Sequence, residues 1–271
     1  MSYHTFTFCL LCGRPLWGSQ GTEECPAAVP QGGGGGSVPG LCRECTGRIV
    51  WSPAATCRCC GRELLNSVED GDQHHSEPKR NPSLLNSAGD GERRCFACRE
   101  QSASLYVPEV YSLLLYRGLS KDLLAIVKFQ NYRPALPLWM WLLERAIEGL
   151  PPGISRSADF IPVPGSTSGI LSRGYDPVHY CVQRICRDSG WSFNPCIARI
   201  QGKSQKTADR RTRFNQARLQ YTLSAGRKPT THEVAVLIDD ISTTGASLRA
   251  CSDLLRSAGY LGVYGITIAQ D

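Results

Sequence analysis

Asp239 and Asp240 stand side by side at the end of an apolar run and are followed at once by Ser242, Thr243, Thr244, Gly245, Ala246 and Ser247. Val234, Ala235, Val236, Leu237 and Ile238 suit a strand buried on both faces; the two acids break the run, and a short Ser/Thr/Gly segment opens a helical pattern. The hydroxyls of that segment, its single glycine and the first free N–H groups of the following helix together can surround a phosphate. Carboxylates beside such a pocket suit a ligand carrying both phosphate and hydroxyls, such as a phosphorylated ribose, with a divalent cation to offset the charge. The competing readings are a buried strand ending in a solvated Asp-Asp turn and a Walker-B-like acid pair.

A second chemistry is written in the cysteines. Eight of the fourteen fall into C-x-x-C pairs: Cys9/Cys12, Cys42/Cys45, Cys57/Cys60 and Cys95/Cys98. A two-residue gap lets both thiolates of a pair reach one ion, and two pairs complete a tetrahedral, closed and therefore structural zinc site. Gly13 and Gly61 follow the second cysteine of their pairs and permit the tight turn of a zinc knuckle. Sequential pairing gives one site from Cys9, Cys12, Cys42 and Cys45 and another from Cys57, Cys60, Cys95 and Cys98; an interleaved pairing is the alternative. A redox role is the rival reading, without thioredoxin-like surroundings to support it. Cys25 and Cys59 lack the spacing, and Cys181, Cys186, Cys196 and Cys251 read as small core residues.

The elements that must position these groups follow from patterning. The 271 residues, 41% hydrophobic, are enough for one domain plus a smaller module. Residues 32–36 are a five-glycine run, and 66–93 are polar with His74 and His75; both read as mobile loops. From Ser104 the composition changes. Strands are expected at 105–107 and 110–116, a helix with Leu119, Leu123, Ile126 and Val127 on one face ending near Lys128-Phe129, and a second helix over 136–147 stopped by Pro151-Pro152-Gly153. Phe160 begins a strand that runs into a loop over 165–174, and a helix carries Val178, Val182 and Ile185. After the Asp-Asp segment, Leu248, Cys251, Leu254, Leu255 and Ala258 form a helical stripe with Gly259 as its cap, and 262–269 supply a last strand.

The net charge of +6 is unevenly spread: residues 199–228 hold nine Lys/Arg against Asp209 alone, which favours anionic partners. The start of the chain lacks the basic and apolar regions of a signal peptide, and the most apolar segment, 136–143, is too short to span a membrane. The chain reads as cytoplasmic, where thiols stay reduced and the paired cysteines need an explanation other than disulfides.

The Asp-Asp, Thr-Thr-Gly segment closely resembles the phosphoribosyl pyrophosphate (PRPP) signature of type I phosphoribosyltransferases. That resemblance implies that Asp239 and Asp240 hold the ribose hydroxyls, and that Thr243, Thr244, Gly245, Ala246 and Ser247, with Ser242 beside them, hold the 5′-phosphate. The order of four C-x-x-C pairs, Lys128-Phe129, Pro162-Val163-Pro164, Arg173-Gly174-Tyr175 and Asp239-Asp240 looks like the ComF competence-type phosphoribosyltransferase-like proteins over nearly the whole chain. It implies an α/β fold, a type I phosphoribosyltransferase-like parallel sheet flanked by helices over 104–271, preceded by a double zinc-ribbon module over 1–103. It also implies Mg2+ with PRPP, and makes Lys128 and Arg173 candidates for pyrophosphate or acceptor contacts. The sequence departs from the family where Asp176-Pro177 follows Arg173-Gly174-Tyr175, in the uncharged stretch 165–170, and in the approximate match of Gln205, Arg210, Arg211, Arg213 and Asn215. Two functions are therefore expected: a phosphoribosyltransferase in nucleotide metabolism or DNA uptake, or a zinc-ribbon protein binding single-stranded DNA through 199–228, with Phe214 and Tyr221 as its aromatics and a regulatory sugar-phosphate site. A zinc-stabilised scaffold with a decayed pocket is the third reading.

Overall fold

The computed structural model describes residues 6–16, 38–52, 56–57, 109–200, 219–224 and 232–271. In chain order the described elements are α1 (Arg43–Gly47), β1 (Glu109–Leu115), α2 (Leu119–Lys128), α3 (Leu136–Ile147), α4 (Ile154–Ser157), β2 (Ala158–Pro162), α5 (Thr167–Arg173) and α6 (Pro177–Ser189). There follow β3 (Ser192–Phe193), β4 (Ile197–Arg199), β5 (Tyr221–Leu223), β6 (Val234–Ser242), α7 (Ala246–Ser257) and β7 (Gly262–Gln270). Five strands form one parallel sheet in the order β1-β7-β6-β2-β3, and β4 pairs antiparallel with β5 apart from it.

Strand β6 is central because its side chains are apolar on both faces, and successive residues of a strand point to opposite sides. Val236 and Ile238 join the core built by Leu124 of α2, Trp139 and Leu142 of α3, and Val182 of α6. Ala235 and Leu237 join the opposite core with Leu248, Cys251 and Leu255 of α7 and Tyr221 of β5. Helices thus cover both faces, as a parallel sheet requires. Trp139 and Phe160 are fully buried; side chains of this size contribute roughly 1.5–3 kcal/mol each by burial.

Three sequence expectations change. The acids do not end the strand: β6 continues through them to Ser242, because β7 keeps pairing alongside, with Asp239 opposite Thr267 and Ile241 opposite Ala269. The expected loop over 165–174 contains α5, whose N-terminus is capped by Ser166 accepting from the Gly169 N–H. The basic stretch 199–228 holds strand pairing between β4 and β5, which the charge count concealed. The second helix and the last strand stand where the patterning put them, whereas 105–107 and most of 199–228 lie outside the described residues.

The N-terminal residues are tied into the same body. Val38, Leu41 and Ile49 are buried in the α2/α3 core. The Ser52 N–H donates to the Leu113 carbonyl and the Leu115 N–H to the Val50 carbonyl, each at 2.8 Å, so the chain at 50–52 pairs antiparallel with β1. That segment covers an edge that would otherwise be free to pair with other strands. Among the described residues, no helix is long and apolar enough to cross a membrane.

Candidate functional site

The sheet order locates a crevice. From β2 the chain moves outward to β3, and from β6 it moves the other way to β7, so the connections leaving the C-terminal ends of β2 and β6 part. Open parallel sheets bind ligands at such a switch point. A cavity of about 550 Å³ lies there, lined among others by Lys128, Phe129, Val163, Pro164, Gly165, Ser166, Arg173, Asp176, Arg199, Tyr221, Asp239, Asp240 and Ser247.

The two acids reach the cavity from opposite faces of β6. Asp240 shares the side of Val236 and Ile238, toward α2, and the Lys128 ammonium lies 2.9 Å from its Oδ2. Asp239 shares the side of Ala235 and Leu237, toward α7 and β5, and its Oδ1 accepts the Asp240 N–H at 2.9 Å. Burial first, and the neighbouring Asp240 charge second, push the Asp239 carboxyl up to about 8. The pair is therefore divided in role: Asp240 is held by the Lys128 ammonium, while Asp239, raised by burial, keeps its proton to higher pH than an exposed carboxyl and can then donate.

The loop between β2 and α6 is stapled by Asp176. Its Oδ2 accepts the Gly165 N–H at 2.8 Å, while its Oδ1 accepts the Val178 and His179 N–H groups and caps α6 ahead of Pro177. The Asp-Pro departure noted in the sequence is thus a helix start and a loop closure at once. Arg173 lines the cavity and its Nη1 donates to the Lys128 carbonyl at 3.0 Å, at the C-terminus of α2. Arg133 donates to the Arg173 carbonyl and lies over the Tyr175 ring at 4.5 Å. Lys128-Phe129, Arg173-Gly174-Tyr175 and Asp240, far apart in sequence, are one constellation.

The phosphate segment is divided. Ser247 lines the cavity and its hydroxyl bonds the Tyr221 OH at 3.2 Å. Thr243, Thr244, Gly245 and Ala246 lie outside the lining, and Ser242 is buried, 3% exposed, opposite Gln270. Gly245 is left-handed, φ 71°, where the chain turns from β6 into α7, a backbone that a side chain would strain. Tyr221 is 4% exposed, so it is a wall of this cavity instead of a stacking surface for nucleic acid; Phe214 lies outside the described residues. Sequence reasoning missed Asp176, Arg199 and Tyr221 as cavity residues. Only the N-cap pattern of Asp-Pro before a helix could have flagged the first.

A separate cluster joins Cys9, Cys12, Cys42 and Cys45, whose sulfurs all lie within 4.8 Å of one another. The Cys12 and Cys42 sulfurs are 3.7 Å apart, close to the roughly 3.8 Å edge of a tetrahedron with 2.3 Å metal–sulfur bonds. Gly13 takes the left-handed turn after the first pair, φ 71°, with its N–H on the Cys9 carbonyl, and the Cys45 N–H points at the Cys42 sulfur. Burial raises the Cys9 thiol, but backbone N–H groups of Cys42, Cys12 and Leu11 more than offset this and bring it to about 6. Four sulfurs so placed could hold a metal ion such as zinc. These are the first two pairs in sequential order. Cys57 is buried, while Cys60, Cys95 and Cys98 lie outside the described residues.

The site is thus that of an open α/β sheet with its crevice at the strand C-termini. No family model and no curated protein matches the chain. Among solved structures it is similar to a hypoxanthine phosphoribosyltransferase from Staphylococcus aureus, with 14% identity, a TM-score of 0.29, and coverage of 56% of this chain and 64% of that one, just under two thirds. It is also similar to an adenine phosphoribosyltransferase from Leishmania tarentolae, with 16% identity, a TM-score of 0.30, and coverage of 54% and 75%. Likenesses this loose say nothing of ligand or reaction.

Proposed function

We propose that the chain is a phosphoribosyltransferase-type protein that binds PRPP or a ribose 5-phosphate group in the cavity at the ends of β2 and β6. The observation that carries this reading is convergence: Lys128-Phe129, Val163-Pro164, Arg173, Asp239-Asp240 and Ser247 come from five separate stretches and line one space. A diol meets a donor in Asp239 when its raised carboxyl holds a proton and an acceptor in Asp240, while Ser247 in the first turn of α7 brings a hydroxyl to the cavity for a phosphate. Holding the sugar at both ends fixes its reacting carbon, which is where such a site gains most of its rate.

The carboxylates are poorly placed as metal ligands, because Asp176 spends both oxygens on backbone N–H groups and Asp240 is paired with Lys128. Magnesium would come with PRPP on its pyrophosphate and supply charge neutralisation for the departing group. The residues that would stabilise the pyrophosphate are the Gly165 to Ser168 turn and Arg199, with Lys128 near the sugar. Uncharged Ser166 and Ser168, with Asp176 behind them, favour a slow transferase or a binding protein.

The ComF-like order of motifs supports a role in nucleotide metabolism or DNA uptake, with zinc on Cys9, Cys12, Cys42 and Cys45 as a structural ion. A PRPP-dependent pyrophosphate-release assay against a panel of nitrogen bases tests the reading. Release that depends on a base and disappears in Asp239→Asn/Asp240→Asn supports transfer; equal release from the double variant refutes it.

A further inference from the structure

We propose that Lys128, paired with Asp240 and seated there by Arg173, is the resident cation of the Asp239–Asp240 site, so that these acids take sugar hydroxyls without a divalent ion on them. The ligand in this proposal rests on the sugar-phosphate reading; the cation does not.

Two independent features build Lys128 into place. The first is the ion pair itself: Nζ is 2.9 Å from Asp240 Oδ2, and the two side chains are only 25% and 12% exposed. A pair so withdrawn from water is coupled more strongly than an exposed one, and stripping one partner leaves an uncompensated charge. The second is the brace behind it. The Arg173 guanidinium binds the Lys128 carbonyl at 3.0 Å, completing the C-terminus of α2 with a cation. Room for that guanidinium comes from Gly169 one turn earlier in α5, where a Cβ would sit 3.0 and 3.1 Å from Arg173 Nη2 and Nη1 and 2.9 Å from the capping Ser166 Oγ. A glycine inside a helix lowers its stability relative to alanine; here it keeps the slot open. Arg173 is thus a positioning residue, since it touches the lysine's backbone and not the sugar.

The charges facing Asp240 follow from this layout. Lys128 comes from α2, Asp239 precedes it in β6, and Asp176 lies across the cavity with its oxygens committed to backbone donors. Lysine in that position occupies the space and supplies the charge that a metal would. A site so arranged should bind a sugar phosphate in magnesium-free buffer and should bind a bare divalent ion poorly.

Two measurements test this on the full zinc-loaded chain. Mn2+ binding is followed by electron paramagnetic resonance without any sugar. The wild type is expected to show no tight Mn2+, Lys128→Met to gain a site at least about tenfold tighter, as one freed charge in a half-buried carboxylate pair implies, and Lys128→Met/Asp240→Asn to lose it again. Ribose 5-phosphate, which carries no pyrophosphate to bring magnesium of its own, is then titrated by calorimetry with and without Mg2+. Its affinity for the wild type should change by less than about twofold, whereas Lys128→Met should lose about tenfold without Mg2+. Gly169→Ala, which crowds Arg173 and the Ser166 cap without removing a charge, should reproduce part of that loss and raise Mn2+ binding toward that of Lys128→Met. Ser166→Ala, which removes the cap alone, should leave Mn2+ binding unchanged. Equal Mn2+ binding by wild type and Lys128→Met, or a wild type whose ribose 5-phosphate affinity rises more than about tenfold with Mg2+, overturns the proposal. If the Mn2+ results hold while no sugar phosphate binds under any condition, the cation assignment stands and the sugar-phosphate reading falls.

Discussion

Replacing Asp239 by Asn should make the protein more stable at pH 8 and flatten its dependence on pH. The Asp239 carboxyl titrates near 8 in the folded chain against an ordinary 3.8, through burial and then the Asp240 charge. Between those values the folded state holds a proton that the unfolded chain has released, so stability falls as pH rises through this window. Below 3.8 both states are protonated and the effect vanishes; above 8 the penalty is complete. A span of about four pH units at about 1.4 kcal/mol each sets a ceiling of about 6 kcal/mol. Lys128 offsets part of the Asp240 charge, and Asp239 itself keeps some water contact, so about 2 kcal/mol is the expected difference at pH 8. Asn is nearly isosteric and retains the acceptor for the Asp240 N–H. Urea unfolding from pH 5 to 8 at fixed free zinc is the assay, with the wild-type midpoint falling more steeply than that of Asp239→Asn. Parallel curves for the two proteins would refute the reasoning.

Three further predictions concern what holds the site. Asp176→Ala removes the acceptor for three backbone N–H groups and should cost about 1–2 kcal/mol in urea unfolding, and Asp176→Asn, whose single oxygen can keep the α6 cap but not the Gly165 bond, should restore only part of it. Cys12→Ser opens the four-sulfur cluster, so the zinc content by mass spectrometry of the purified protein should drop by about one ion per chain. The wild type should also lose stability with chelator in a way that the variant does not. Tyr260→Phe takes a hydroxyl donor from buried Asp159, which also accepts from Ser192 and Asn194. A loss of about 1–3 kcal/mol is expected for that network, with ribose 5-phosphate affinity unchanged because Tyr260 lies outside the cavity lining.

Much of the fold could be read before any coordinates, for physical reasons that are local. The doubly apolar run at 234–238 can only be a central strand, and the stripes at Leu123, Ile126 and Val127 and at Leu248, Cys251 and Leu255 can only face a sheet. That Cys9, Cys12, Cys42 and Cys45 come together followed from their spacing. Long-range consequences were not legible. That β6 runs on through two acids depends on β7 pairing beside them, and that Asp239 and Asp240 face different helices follows only once that strand is known. Lys128 and Arg173 were singled out separately as basic groups for an anion. Their mutual contact through the Lys128 carbonyl is a tertiary fact with no trace in either segment. Asp176 stood out in sequence only as a departure after Arg173-Gly174-Tyr175, and neither its capping of α6 nor its closure of the loop onto Gly165 was read there.

Calorimetric titration of PRPP with Mg2+ into the zinc-loaded chain, alongside Asp239→Asn/Asp240→Asn, bears most directly on whether the crevice between β2 and β6 is a seat for a sugar phosphate. Saturable 1:1 binding by the wild type, weakened about tenfold or more in the double variant, which loses the Asp240 carboxylate and its Lys128 pair, is the expected result. Equal heats from the two proteins, or none from the wild type, would contradict it.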